Sequence, residues 1–244
     1  MNQGTNLFLT GLALASLGLV GCNADPSDQM KQQVDYRDGI DGDANSGERG
    51  TVKVTEVMWS GSVTNDGQWN PTDVFIEIRN EGSRPVNLTG WQLQIEGTIY
   101  KTLIIPPTEE KLAVGDHAFV ARTDSGCFTG ANWIMPELEL PYGDPFRVTV
   151  RDADERLMAS AGDRYMPPFA GGYDGALSRS MEKLELMFGG RGNEPASWHY
   201  YTPETVDTPN NDKVKPICQE RTLASPGRPN SPDYSGAFAA GDFQ

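Results

Sequence analysis

The chain has 244 residues, of which 37% are hydrophobic, so it can build one large domain or two small ones around a real core. Its formal net charge of −14 and its pI near 4.5 argue against binding to nucleic acid or to anionic lipid headgroups, because those surfaces would repel it. Aromatic and β-branched residues occur in short runs between 27 Gly and 17 Pro, without a long run at helical spacing, which predicts an all-β protein.

The N-terminus carries an apolar stretch at residues 7–20, followed by the tetrapeptide Leu-Val-Gly-Cys that ends at Cys22. The stretch has the length of a signal-peptide core and is short for a bilayer span. The tetrapeptide resembles the lipobox of bacterial lipoproteins, in which the cysteine is acylated and becomes the first mature residue. We therefore expect a lipoprotein signal peptide at residues 1–21 and lipidation, with acyl chains such as palmitate, at Cys22. The alternative is an ordinary cleaved signal, and residues 1–6 lack the usual Lys or Arg.

Residues 22–50 are expected to form a lipidated, disordered tether. From residue 23 onward they contain seven acidic and three basic residues and no Trp or Phe, so they cannot bury enough apolar surface to fold. Asp41, Asp43 and Asn45 alternate like the opening of a calcium loop, but a solvated linker is the favoured interpretation because the closing Glu is missing. Residues 231–244 are small and polar and are expected to form a flexible tail.

After residue 50 the alternation of apolar and polar residues predicts nine short strands, which suit a two-sheet β-sandwich. The predicted strands are 52–59, 74–80, 91–95, 99–105, 118–122, 146–151, 157–161, 184–188 and 198–201. Trp59, Trp91 and Trp198 are the expected core anchors.

Motifs in this region resemble, in order, those of lamin tail domains. They are TEVMWSGS at 55–62, DVFIEIRNEGSRPVNLTGWQLQI at 73–95, LAVGDHAFVAR at 112–122, FRVTVRDADERLMAS at 146–160, ALSRSMEKLEL at 176–186, EPASWHYYT at 194–202 and SPGRPN at 225–230. The resemblance implies an immunoglobulin-like sandwich with loop inserts over residues 51–230, and it implies no catalytic residue. Inserts at 65–72 and 123–142 stretch the family spacing, and loop-borne function is expected there.

The residues that often carry catalysis are not arranged for it in the sequence. His117 and His199 lie far apart and outside zinc-site spacings, and neither a nucleophile elbow nor a phosphate-binding loop occurs. Glu56 and Glu77 sit at alternating positions in apolar strands, where we expect solvent-facing or backbone-pairing acids. The sequence therefore predicts a protein that is not an enzyme and has no cofactor.

The expected function is that of an exported lipoprotein, held by its lipid at the outer membrane or cell surface, which binds or scaffolds an envelope or extracellular protein or glycan. Asn23 after the acylated cysteine favours the outer membrane. The alternative is a calcium-dependent adhesion or carbohydrate-binding lipoprotein that uses acidic loops, with Asp152 and Asp154 as candidates. A solvated hairpin tip is the favoured interpretation of those two residues.

Cys127 and Cys218 are the remaining thiols once Cys22 is acylated. In an exported protein an even pair predicts a disulfide, with two separate buried thiols as the alternative. The bridge would join the insert at 123–142 to the polar stretch at 205–222, and both segments look too loose to order themselves.

Overall fold

The structure is a computed structural model, and it describes residues 50–184, 192–202 and 211–232. Several predicted features lie outside the described residues: the signal peptide, Cys22, the tether with its calcium candidates Asp41, Asp43 and Asn45, the tail from residue 233, and all but the first residue of the predicted strand 184–188. The strand that the structure has in that region lies earlier, at Met181–Lys183. Within the described ranges, no helix is both long enough and apolar enough to cross a membrane.

Two large sheets, in which most neighbouring strands are antiparallel, form the body of the described chain. Three smaller sheets lie beside them. The strands of the six-stranded sheet are β1 (Val52–Met58), β4 (Phe75–Asn80), β9 (His117–Ala121), β10 (Trp133–Ile134), β15 (Met181–Lys183) and β16 (Trp198–Tyr200). The strands of the four-stranded sheet are β6 (Gln92–Gly97), β7 (Tyr100–Ile104), β11 (Phe146–Arg151) and β12 (Leu157–Asp163). Their order is β10-β9-β4-β1-β15-β16 in the first sheet and β12-β11-β6-β7 in the second.

The smaller sheets are built from two-residue strands that connect the ends of the longer ones. They pair β2 (Ser62–Val63) with β3 (Trp69–Asn70), β5 (Val86–Asn87) with β8 (Lys111–Leu112), and β13 (Gly172–Tyr173) with β14 (Ser178–Arg179), which also pairs with β17 (Thr222–Leu223). A 3-10 turn, Pro195–Ser197, precedes β16.

The main core lies between the two large sheets. Valines and isoleucines from β1 and β4 face leucines, valines and Phe146 from β6 and β11, and Trp91 and Trp198 are buried in the same cluster. The prediction of an all-β sandwich is therefore confirmed.

A β-bulge at Thr55 changes which side chains of β1 face this core. Val54 is opposite Ile78 and Glu56 is opposite Glu77, which is the next residue back along β4. Thr55 is therefore an extra residue in β1, without an opposite residue in β4. The bulge turns Glu56 to the outer face of the six-stranded sheet.

The outer faces of the two sheets differ in what covers them. On the four-stranded sheet the outer side chains of β6 and β11 are polar, and Arg147 pairs with Glu96 at 2.6 Å. On the six-stranded sheet the outer face is buried beneath the insert at 123–142 and residues 211–232. A second apolar cluster lies there, and it contains Met58, Phe75, Phe119, Ala121, Cys127, Phe128, Val214, Cys218 and Ala224.

Cys127 and Cys218 form a disulfide within this second cluster, with their Cα atoms 5.8 Å apart, as predicted. Both residues are buried. Backbone bonds flank the bridge: the Lys215 N–H donates to the Cys127 carbonyl at 2.8 Å, and the Thr129 N–H donates to the Lys213 carbonyl at 2.9 Å. The disulfide and these bonds fasten the insert to the C-terminal region.

Reduction of the disulfide is expected to destabilise the fold, because the bridge links positions 91 residues apart. In the chain-entropy model a loop of that length contributes at most roughly 4–5 kcal/mol. The measurement is denaturant unfolding with and without reductant. A Cys127→Ala, Cys218→Ala double variant is the control, since its midpoint must not respond to reductant. A wild-type midpoint that is equally insensitive would contradict the expectation.

Candidate functional site

An aromatic cluster lies at one end of the sandwich, and it is formed by Trp59, Trp69, Tyr142 and Tyr173. The ring of Trp69 stacks on Tyr173 at a centroid distance of 4.8 Å and meets the edge of Tyr142 at 5.1 Å. Tyr142 in turn lies 5.7 Å from Trp59. Trp59 is buried beneath the others, whereas Trp69 is 38% exposed and Tyr142 is 46% exposed. The rings of Trp69 and Tyr142 therefore present aromatic surface to solvent, and the buried Trp59 supports them from below.

Hydrogen bonds and a tight turn hold the cluster in place. The Trp59 Nε1–H donates to the Ala170 carbonyl at 2.8 Å, and the Trp69 Nε1–H donates to the Ser60 carbonyl at 2.9 Å. Gly61 has φ of +76°, and a Cβ there would lie 2.1 Å from the Asn70 carbonyl oxygen, so the hairpin of β2 and β3 requires glycine. These indole orientations are fixed by backbone contacts.

The cluster is the place where the two inserts meet. Trp69 belongs to the insert at 65–72, and Tyr142 ends the insert at 123–142. Exposed polar residues flank the rings in sequence, including Gln68, Asn70 and Asp144. Asn70 Oδ1 accepts from the Thr72 N–H and hydroxyl, which leaves the Asn70 Nδ2 without a partner among the described residues. Such a surface offers stacking faces and hydrogen-bond donors together.

Three glutamates form a buried row across the outer face of the six-stranded sheet. Glu56 on β1 is directly opposite both Glu77 on β4 and Glu182 on β15, and none of the three is exposed. Histidines stand at both ends of the row. His117 Nδ1 is 2.8 Å from Glu77 Oε1, and His199 Nε2 is 3.7 Å from Glu182 Oε2.

The glutamates accept hydrogen bonds from backbone N–H groups of residues 225–231, which lie across the row. The three contacts are Ser225 N–H to Glu56 Oε1 at 2.9 Å, Gly227 N–H to Glu77 Oε2 at 2.6 Å and Ser231 N–H to Glu182 Oε2 at 3.0 Å. An irregular segment has no strand partner for its N–H groups, and burying one unpaired costs about 1–3 kcal/mol. The carboxylates are the acceptors that allow this segment to be buried.

Ser225 couples two of these acids. Its hydroxyl lies 3.2 Å from Glu56 Oε2 and also contacts Glu182 Oε1. One hydroxyl has one hydrogen, so both contacts become hydrogen bonds only when one of the two acids carries a proton. Burial raises the pKa of Glu182 to about 7, and burial together with the charge of Glu182 raises the pKa of Glu56 well above its ordinary value.

The positions of Glu56 and Glu77 resolve the two interpretations made from the sequence. Neither side chain faces solvent, and both bind backbone N–H groups. Glu77 Oε1 also accepts from the Thr55 hydroxyl at 2.8 Å. An acid in this row has its oxygens occupied by the protein itself, which suits a structural role.

At the acidic hairpin tip, the first aspartate binds groups of the protein itself. Asp152 is fully buried, and its carboxylate accepts from the Arg156 guanidinium at 2.7 Å and from the backbone N–H groups of Asp154 and Arg156. Calcium binding at this hairpin would require displacement of Arg156. The described residues contain no group of three or more His, Cys, Asp or Glu side chains arranged to hold a metal ion.

Sequence reasoning located some of these features and missed others. It marked both inserts, but it did not bring Trp69 and Tyr142 together with Tyr173. It also missed Glu182, although the register that pairs β15 with β1 places this residue beside Glu56. The signal that was available in the sequence is a Glu inside each of the segments that form β1, β4 and β15.

Comparison with known proteins identifies no family for the chain. No protein-family model and no curated protein matches it. Among solved structures, a DUF4876 family protein from Bacteroides thetaiotaomicron is similar, with 12% identity over 77% of this chain and 76% of that chain and a TM-score of 0.39. A likeness at this level defines neither the family nor the activity of the chain.

The buried glutamates predict that stability falls as the pH rises. Folding raises the pKa of Glu182 from 4.5 to about 7, so the folded protein retains a proton that the unfolded chain releases between these values. The stabilisation from this group is complete below the lower value and is lost as the pH passes the upper one. Glu182→Gln preserves the shape but cannot ionise.

We therefore expect the unfolding free energy of Glu182→Gln to decline less than that of the wild type between about pH 5 and about pH 8. Chemical denaturation across this range is the measurement. Glu109→Gln, which removes an exposed acid, is the matched control and should follow the wild type. Identical pH slopes for all three proteins would show that the row does not retain a proton.

Proposed function

We propose that the protein is an exported envelope lipoprotein, anchored by a lipid on Cys22, whose lamin-tail-like sandwich is a non-catalytic binding module. The observation that carries this proposal is the aromatic cluster, because a folded domain rarely leaves several large rings together at its surface without a use for them. Its position at the meeting point of the two inserts supports the same conclusion.

A neutral polysaccharide is the ligand that this surface fits best. The flat faces of aromatic rings pack against the C–H groups of sugar rings, and neighbouring amides and carboxylates bind sugar hydroxyls. The formal charge of −14 disfavours an anionic polymer, whereas a neutral glycan is not repelled.

The buried glutamates support a role without catalysis. Glycoside hydrolysis needs two carboxyl groups that reach the sugar from opposite sides. Glu56, Glu77 and Glu182 share one face of a sheet beneath residues 225–231, and their oxygens bind that segment. A bound sugar does not reach them.

Truncation of Tyr142 is expected to weaken polysaccharide binding by the full-length protein about threefold to tenfold, since one aromatic contact contributes about 0.5–1.5 kcal/mol. The measurement is co-sedimentation with chitin and an insoluble β-glucan, which are neutral, and alginate coupled to agarose beads is the anionic comparison. Tyr142→Ala and Trp69→Ala are the test variants.

Tyr100→Ala is the matched control, because Tyr100 is exposed on β7 and belongs to no aromatic pair among the described residues. Thermal melting of each variant checks the fold. Binding that survives both test variants, or binding to alginate alone, would remove the aromatic cluster as a glycan surface. Binding in the presence of EDTA separates this proposal from calcium-dependent adhesion.

The lipid anchor is tested separately. Cys22→Ala is expected to move the protein from the membrane fraction to the soluble fraction, because the acyl chains supply the attachment, at about 0.8 kcal/mol per buried methylene. Fractionation of cells that express each form is the measurement, and Ser27→Ala serves as the control. A Cys22→Ala protein that still sediments with membranes and is released by detergent would contradict lipid anchoring at this residue.

A further inference from the structure

The four-stranded sheet has one edge that no other segment of the described chain pairs with. That edge is β7, which stands last in the order of the sheet. At the opposite edge β12 is covered by another segment, because the Gly162 N–H donates to the Gly192 carbonyl at 3.0 Å. An unpaired edge strand is a template on which another strand can add. The open edge of β7 is therefore a candidate interaction surface.

The register of the β6–β7 pair shows which backbone groups of β7 are free. The Ile105 N–H donates to the Trp91 carbonyl at 2.8 Å, and this contact continues the register of the two strands. In an antiparallel pair, residues bonded to the neighbouring strand alternate with residues whose N–H and C=O groups point to the other side. The backbone groups of Tyr100, Thr102 and Ile104 therefore point away from β6, and none of them bonds to another segment of the described chain.

β7 lacks the features that usually keep an exposed edge from pairing. Such features are prolines, bulges and charged side chains on the open face, whereas β7 contains no Pro and keeps one regular register against β6. Its outer face carries Tyr100, which is 71% exposed, Thr102, which is also exposed, and Ile104, which is 57% exposed. All three are uncharged and belong to the residue types that favour strands.

We propose that β7 pairs with the β7 strand of a second copy of this chain, antiparallel and across a twofold axis at Thr102. In this register Thr102 is opposite Thr102 of the second copy, and Tyr100 is opposite Ile104 at both ends of the pair. Every outward backbone group of the three residues then has a partner, whereas a shifted register leaves some unpaired.

The side chains of β7 fit this register. Threonine pairs and aromatic–β-branched pairs are favourable in antiparallel strands, and the twofold axis produces both kinds at once. A twofold interface requires a surface that is complementary to itself. β7 meets that requirement within five residues, which favours a second copy over an unrelated strand. The two four-stranded sheets become one continuous sheet.

The charges of β6 and β7 are neutralised within the chain. Lys101 Nζ is 2.7 Å from Glu139 Oε2, and Arg147 binds Glu96 at 2.6 Å. Glu137, whose carbonyl accepts from Lys101 at 3.1 Å, adds a carboxylate without an ion pair among the described residues. This acid and the net charge of −14 oppose dimerisation. Salt at physiological strength screens that repulsion beyond about 8 Å, which leaves the uncharged contacts of β7 to decide the pairing.

The first test is sedimentation velocity of the full-length protein in a mild detergent over a range of concentrations. We expect a monomer–dimer equilibrium. Thr102→Lys should raise the dissociation constant at least about tenfold, because it places two like charges directly opposite each other. Ser83→Lys adds the same charge at an exposed position outside β7 and should remain within about twofold of the wild type. A wild type that is monomeric at every concentration, or equal dissociation constants for the two variants, would overturn the proposal.

The second test checks the register by disulfide trapping. Directly opposite residues of a hydrogen-bonded antiparallel pair have Cα atoms about 5.5 Å apart, which is within the reach of a disulfide. Thr102→Cys should therefore give a covalent dimer on non-reducing electrophoresis after mild oxidation. Ser83→Cys and the wild type are the controls and should stay monomeric on the same gel. Cross-linking of Thr102→Cys that does not exceed that of Ser83→Cys would show that two copies do not pair through β7.

Discussion

The constraint on which the structure depends is the burial of irregular backbone against the outer face of a β-sheet. Helices and strands bring their own hydrogen-bond partners, whereas residues 225–231 bring unpaired N–H groups. Three glutamates on adjacent strands supply the missing acceptors. Burial, and to a smaller extent the charges of neighbouring glutamates, raises the pKa of Glu56 and Glu182. Burial of the C-terminal segment against these glutamates therefore creates a site that holds a proton near neutral pH.

This arrangement gives the sandwich a third layer without regular structure. The four-stranded sheet is open to solvent, and the six-stranded sheet is covered by loops that are held by the disulfide and by the glutamate row. Because these loops are fastened at both places, the surfaces above them have fixed shapes. The aromatic cluster is held at another place, where its two indole N–H groups donate to the carbonyls of Ser60 and Ala170.

Much of the sandwich was predictable because alternation is a local signal. In β4, β6 and β11 apolar side chains recur at every second position, because one side of each strand faces the apolar core. The bulge at Thr55 breaks the period of β1, so the sequence pattern could not assign Glu56 to a face. The two-residue strands carry too few residues for a pattern. Contacts such as Glu56 with Glu182, or Trp69 with Tyr142, arise from pairing of distant segments and leave no local trace in the sequence.

The place of β1 in the sheet also governs the order in which the molecule can assemble. β1 is the first strand of the described chain, yet it lies in the interior of the six-stranded sheet between β4 and β15, whose partner residue Glu182 is 126 positions beyond Glu56. Because the chain is synthesised from its N-terminus, one edge of β1 stays unpaired until β15 has been made. Contacts of such sequence separation make folding slow and leave strand edges open to wrong pairing. Closure of the outer face then waits for residues 225–231, so the C-terminal part of the described chain covers the sheet that its first strand begins.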